Sequence, residues 1–333
     1  MVMHDPYRDK STFDAKLKRM VDAVYSVSSL SHSKKLDMCF LLAPEYYFAN
    51  AEELWYANTY ASSKGKIAPA SPQYTMTDYQ VVVDTFKHYS SMLSNAIIIP
   101  GTFMLQDQGY SGVGGSSKKV GNLGGENYGT DPAYSKAVPG LFGELKGGGG
   151  SPSFYTTSVY NMAPVFYAGR VGVYRKRAPY YELGQPATLA ARKKFYQHNP
   201  QSDEYVRNQY RYVPGVVPGY FRRGPKGRQV AIGLEICFDH ACGMLRNDLD
   251  KKTVGRSDVH IILSASTDID FTKVCARSGG YVVHCSSVAT DCEVQKYKRR
   301  RWWSNSLDVV TPYKRDSDRN MVHWLVDLED EKK

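Results

Sequence analysis

No run of apolar residues in this chain approaches the roughly 20 that a membrane-spanning helix needs. Residues 1–10 are polar and include Pro6, so no apolar signal core is expected either. Cysteine is scarce: six in 333 residues are too few for a disulfide scaffold, and a reducing, cytoplasmic setting is expected. Internal repeats and a convincing interdomain linker are both lacking, so one domain over residues 1–333 is expected. Acids fall short of bases, 33 against 43, which leaves a net charge of +10. Such a balance raises nucleic acid or an anionic surface as a partner. The excess is local, however. From Arg170 to Arg228 there are thirteen Lys and Arg against three acids, an excess of ten that equals the whole-chain value.

What is present is a globular composition, 42% apolar, in a chain long enough to bury a substantial core. Phe13, Leu17, Met20, Val21 and Val24 follow helical spacing, with Ser11 or Thr12 as N-cap. A strand follows at Leu36–Leu42, a second helix on Tyr79, Val82, Val83, Phe86 and Leu93, then a buried strand at Ala96–Pro100. This is β-α-β logic with a parallel sheet. Residues 109–150 hold 14 of the 28 glycines, which predicts a long surface loop, a lid over a pocket or an engineered linker. Ser158–Tyr167 and Val171–Arg175 read as a hairpin about Ala168-Gly169. An irregular stretch, Arg177–Tyr220, precedes the strands Val230–Cys237 and Val259–Ser264. A helix is expected over Thr267–Ser278, and strands over Tyr281–Ser286 and Met321–Leu328.

Three of the apolar strands run into reactive side chains. Leu36–Pro44 delivers Glu45, Val171–Arg175 delivers Lys176, and Val230–Ile236 delivers Cys237, so the three are expected at the ends of parallel strands. An unperturbed thiol is mostly protonated at neutral pH and needs a base or a nearby cation to become a nucleophile. Glu45 is expected as the base. Lys176 is expected to favour the thiolate and then to stabilise the oxyanion formed on attack, with the backbone N–H of Phe238 as second donor if the chain turns sharply there.

Ala43-Pro-Glu45-Tyr-Tyr-Phe48, Gly172-Val-Tyr-Arg-Lys176 and Gly233-Leu-Glu-Ile-Cys237-Phe-Asp239 resemble, in this order, the three signatures of the nitrilase, or carbon–nitrogen hydrolase, superfamily. Val159-Tyr-Asn-Met-Ala163, Tyr212-Val-Pro-Gly215 and Val259–Ser264 resemble its flanking elements. The resemblance implies an α/β fold, an α-β-β-α sandwich that commonly dimerises, so a homodimer or higher homo-oligomer is expected. It also implies covalent chemistry through a thioester on Cys237, with no metal or organic cofactor. Glu45 matches the general base, Lys176 the lysine on the oxyanion side and Cys237 the nucleophile. Glu182 either matches a second glutamate that holds the lysine or is an ordinary surface acid.

The implied activity is that of an amidase or N-carbamoyl amidohydrolase. Nitrile hydrolysis, acyl transfer and a non-catalytic binding module using the basic surface are the alternatives. Departures from the pattern are an N-terminus without the usual opening strand and two insertions, about 105–153 and 185–221, at the substrate entrance. The expected partner is a small molecule, anionic if the basic stretch steers it; neither nucleic acid nor a membrane is expected.

Other groups carry blander readings. Glu235 faces the side of Cys237 if the strand is regular, either to bind a cationic substrate or as a structural hydrogen-bonding group. A Cys–His dyad through His240 or His284 would leave Glu45 and Lys176 unexplained. Cys237, His240 and Cys242 lack a second pair of zinc ligands. Residues 298–303, Lys-Arg-Arg-Arg-Trp-Trp, are expected as a solvated strand or turn.

Overall fold

The computed structural model describes residues 2–3, 12–48, 76–108, 157–178, 210–212, 215–224, 229–265, 267–299, 305–316 and 321–328. Strand β1 (Val2–Met3) leads to helix α1 (Phe13–Lys34), whose N-cap Thr12 accepts a hydrogen bond from the Ala15 N–H at 3.3 Å. Lys35, in left-handed conformation at φ 52°, closes its C-terminus. Strand β2 (Cys39–Leu42), helix α2 (Met76–Met92), and strands β3 (Ala96–Ile99) and β4 (Phe103–Gln108) follow. Strands β5 (Thr157–Tyr167) and β6 (Arg170–Arg175) form the expected hairpin. Next come β7 (Tyr210–Tyr212), β8 (Tyr220–Arg223) and β9 (Val230–Ile236). Two short helices, α3 (Phe238–Ala241) and α4 (Met244–Asp250), precede β10 (Ser257–Ser264) and β11 (Ala276–Ser286). The described chain closes with β12 (Glu293–Arg299), β13 (Asn305–Val309), β14 (Lys314–Asp316) and β15 (Met321–His323).

Two sheets result. The first runs β14-β15-β1-β2-β3-β5-β4, with β6 and β7 also on β5. The second runs β13-β12-β11-β10-β9-β8. Period-two alternation sorts side chains between layers. In β9, Val230, Ile232, Leu234 and Ile236 point into a core shared with Leu42, Ile97, Ile99 and Val165 of the first sheet. On the other face of the first sheet, Leu41, Ile98 and Phe103 pack against Met20, Val24, Val82 and Phe86 of α1 and α2. Helix α4 lies on the outer face of the second sheet, where Leu245 meets Gly233. The layers therefore stack α-β-β-α, the sandwich that the motifs imply. Each fully buried Ile, Leu or Phe in these cores contributes roughly 1.5–3 kcal/mol.

Several expectations need correction. The first sheet is mixed: β1, β2 and β3 are parallel, but β5 is antiparallel to β3, β4 and β6. Glu45 and Lys176 follow strands of this sheet whereas Cys237 follows a strand of the other, so the three do not end neighbouring parallel strands. An opening strand does exist, because Val2 pairs with Leu42 and Val322. The helix expected over Thr267–Ser278 is a single 3-10 turn at Phe271–Lys273, since Ala276 is already committed to β11 beside Ser257. The last strand stops at His323 rather than Leu328. Within the two insertions, residues 105–108 belong to β4, paired with β5, and Tyr210–Tyr212 and Tyr220–Phe221 are strand. The glycine-rich run 109–150 and residues 300–304 lie outside the described residues. No helix among the described residues is long and apolar enough to cross a membrane.

Candidate active site

Glu45 occupies a turn directly after β2, held from three directions. The Tyr46 N–H donates to Thr102 Oγ1 at 2.9 Å. Lys16 of α1 donates through Nζ to the Tyr47 carbonyl at 2.8 Å, and the Tyr47 hydroxyl returns a bond to the Lys16 carbonyl at 3.2 Å. Phe48 stacks on Phe103 with ring centres 4.5 Å apart. Behind the turn lies Gly101 at φ +89°, where a Cβ would stand 2.5 Å from Tyr47 Cβ and 2.6 Å from the Pro44 oxygen. Only glycine allows both that backbone conformation and that approach.

Lys176 is the first residue after β6 and is fully buried. Its N–H donates to the Asn161 carbonyl on β5 at 2.9 Å, and its carbonyl accepts from the Gly215 N–H at 3.0 Å. The side chain crosses to Glu45, with Nζ donating to Oε1 at 2.9 Å. Asn161 Nδ2 donates to the same oxygen at 2.9 Å. Glu45 Oε2 is buried and makes no hydrogen bond of regular geometry.

Cys237 ends β9 at φ 47°, ψ −104°, outside the regions a non-glycine residue prefers. That strained turn swings the thiol out of strand alternation and starts α3 with Phe238. Cys237 is 7% exposed, and its sulfur lies 2.8 Å from Thr267 Oγ1. Burial and then the negative charge of Glu45 push its pKa up to about 12, against the opposing pull of Lys176 and Thr267. The resting group is a neutral thiol that senses both Glu45 and Lys176. The structure thus gathers three residues 131 and 61 positions apart in sequence, Glu45 to Lys176 and Lys176 to Cys237. Glu182 lies outside the described residues.

The turn at Cys237 also overturns the expected placement of Glu235. Glu235 remains in regular strand, on the outer face of the second sheet, away from Lys176. There it accepts from the Leu245 N–H at 2.9 Å and meets His240 Nδ1 at 2.8 Å and His260 Nε2 at 3.0 Å. Burial alone would raise this carboxyl; the two histidine bonds outweigh burial and bring it to about 2. The three side chains have a metal-like spacing, but their other bonds fix the tautomers. The Asp270 N–H donates to His240 Nε2 at 3.0 Å and the Cys275 N–H to His260 Nδ1 at 3.3 Å. Each ring must then carry its proton on the nitrogen facing Glu235, where a metal would need a lone pair. The donor set does not fit an ion. His240 is thereby committed away from Cys237, and His284 bonds Ser264 Oγ at 2.8 Å, so neither forms a dyad with the thiol. All six cysteines are free thiols.

Asn161, Thr267 and Asp239 were not anticipated as members of the site. Asn161 carried a signal, an amide within an otherwise apolar strand. Thr267 carried none, because its approach depends on the loop after β10.

No family model and no curated protein matches the chain. Among solved structures it is similar to an amidase from Nesterenkonia sp. AN1, in a mutant showing the result of Michael addition of acrylamide at the active-site cysteine. That likeness has 11% identity over 85% of this chain and 76% of the other, with a TM-score of 0.38. It is also similar to Nit3 of Saccharomyces cerevisiae, a member of branch 10 of the nitrilase superfamily, at 14% identity over 86% and 74% of the two chains and a TM-score of 0.37. A third is the glutamine-dependent NAD+ synthetase of Acinetobacter baumannii, at 10% identity over 100% and 48% and a TM-score of 0.41.

Proposed function

We propose that this chain, as a single domain, is a cysteine-dependent carbon–nitrogen hydrolase of the nitrilase-superfamily type that its three motifs resemble, acting on an amide or N-carbamoyl substrate. One observation carries the reading. Lys176 Nζ and Glu45 Oε1 are 2.9 Å apart with both side chains out of water, beside a thiol whose ionisation responds to both. A buried ion pair of this kind is weak evidence for stability, and next to a thiol it makes chemical sense as a base and a charge stabiliser.

In this mechanism Glu45 takes the Cys237 proton as sulfur attacks the carbonyl carbon. A neutral resting thiol requires the proton to leave as attack proceeds, so the base must already be in place. The Lys176 ammonium has three donors and serves the tetrahedral oxyanion while still held by Glu45, with the Phe238 N–H as second donor. The carbon–nitrogen bond then breaks, Glu45 returns its proton to the departing ammonia or amine, and a thioester remains on Cys237. Water gives a proton to Glu45 and attacks the thioester. The acid leaves, and the thiol recovers its proton from Glu45. From charge alone, we assign an anionic substrate, with capture that weakens as salt is added.

Intact-protein mass spectrometry after incubation with amides, N-carbamoyl compounds and nitriles tests this, comparing wild type with Glu45→Gln. An acyl adduct on Cys237 that forms in wild type, and far more slowly in the variant that lacks the base for attack, is the expected result, and its mass identifies the acyl group. Hydrolysis of any panel compound that survives Cys237→Ala would refute the mechanism.

A further inference from the structure

Asp239 lies two residues beyond Cys237, at the start of α3, and none of the chemical steps above uses it. Its carboxylate is fully buried. It accepts from the Tyr174 hydroxyl at 2.7 Å, from the Arg177 N–H at 2.9 and 3.1 Å, and from the Ala178 N–H at 2.6 Å. These donors bracket Lys176: Tyr174 precedes it by two residues, Arg177 and Ala178 follow it. Tyr174 lies in β6 of the first sheet, with Arg177 and Ala178 just beyond it, whereas the carboxylate that collects them sits just past β9 of the second. A further tie runs the same way, from the Arg177 guanidinium to Asp248 on α4.

The chain leaving β6 has lost its ladder partners, so its backbone N–H groups need acceptors from elsewhere. One short carboxylate supplies them and, being anchored beside the nucleophile, sets where Lys176 stands relative to the sulfur. Burial pushes the Asp239 carboxyl up to about 7, opposed by Tyr174, Lys176 and the Ala178 amide. Acceptor geometry is therefore the property that matters for the tie, since Oδ1 accepts from both the Arg177 and Ala178 N–H groups and a proton on Oδ2 would leave it free to do so.

We propose that Asp239 is a positioning residue that locks the Lys176 segment of one sheet to the Cys237 turn of the other, and so fixes the ammonium against the sulfur and Glu45. The proposal deepens the function given above, because it takes Cys237 as the thiol that Lys176 serves. Asparagine should largely preserve the tie. Its Oδ1 still accepts both backbone N–H groups, and Tyr174 can reverse its hydroxyl to accept from the amide. Alanine removes every acceptor.

The test is the rate at which iodoacetamide alkylates Cys237, followed by peptide mass spectrometry at one alkaline pH. It is read in wild type, Lys176→Gln, Asp239→Ala, Asp239→Asn and the Lys176→Gln/Asp239→Ala pair, with near-UV circular dichroism to confirm folding. A residue acting through Lys176 should show strong coupling in this cycle. Asp239→Ala should slow alkylation about tenfold when Lys176 is present and less than about twofold when it is not. Asp239→Asn should stay within about threefold of wild type, the rescue expected of retained acceptors. Equal slowing in both backgrounds, or none in either, overturns the proposal while leaving the hydrolase reading intact. If Lys176→Gln by itself changes nothing, the hydrolase reading falls and Asp239 loses its role with it. Should the alanine variant fail to fold, Asp239→Glu takes its place under the same expectation, because an added methylene moves both acceptor oxygens.

Discussion

Lys176 Nζ meets Glu45 Oε1 at 2.9 Å across the interior of the first sheet, with neither side chain exposed to solvent. Asn161 donates to the same oxygen and also accepts the Lys176 N–H, so a single strand, β5, aligns both charges.

Breaking this pair strands one charge in the interior, at a typical cost of about 3–5 kcal/mol. Lys176→Gln and Glu45→Gln should each lower the unfolding free energy, the lysine change by about 3 kcal/mol, and each should cut turnover by several orders of magnitude. The double replacement Glu45→Gln/Lys176→Met leaves no charge behind. It should recover most of the stability in urea titrations while activity stays lost. A double variant as unstable as the sum of the singles would mean that the contact is not the pair described.

Gly101→Ala probes the support of the Glu45 turn. The added Cβ meets Tyr47 and Pro44 at 2.5 and 2.6 Å, at a backbone φ of +89°. Overpacking of this kind costs about 1–3 kcal/mol, and displacing Glu45 should lower turnover at least about tenfold, as small misplacements of catalytic groups do. Wild-type turnover in a folded Gly101→Ala protein would show that the turn does not depend on this approach.

Acid should act through Glu235. Its folded pKa of about 2 lies below the unfolded value of 4.5, so the unfolded chain binds the extra proton between these values. The contribution is therefore fully present above the unfolded pKa and is lost as pH falls through the folded one. It amounts to about 3 kcal/mol. Denaturant unfolding across that window should show a steeper loss in wild type than in Glu235→Gln; parallel curves would remove Glu235 from acid unfolding.

The Glu235, His240 and His260 cluster should hold no ion. Equilibration with excess zinc followed by desalting is expected to leave less than a stoichiometric amount by elemental analysis, and EDTA should not move the melting temperature. Retained zinc that is lost in His260→Ala would show that the rings give up the tautomers set by Asp270 and Cys275.

By itself the sequence determined the elements with a strong local signal. The spacing of Met20, Val24, Val82 and Phe86 made two amphipathic helices evident. Ala168-Gly169 marked the hairpin, and Glu45, Lys176 and Cys237 each followed an apolar strand at a point where a charged or nucleophilic group needs a reason. Strand alternation is a local property, and along β9 it places Val230, Ile232, Leu234 and Ile236 in the core. It failed at Cys237 because a positive-φ turn there interrupts the period, sending the thiol toward the site while Glu235 stays on the outer face. The segment expected as a helix over Thr267–Ser278 failed for a related reason. Pairing of Ala276 with β10 is a long-range contact that overrides local spacing. Only the tertiary structure decided that β2 and β6 belong to one sheet and β9 to the other, since hydrogen bonding between strands depends on which edges meet rather than on the residues of any one strand. Asp239 acquires its place from that same event: the acid that closes the third motif, to which the sequence assigns no role, collects donors from the opposite sheet once the two are packed face to face.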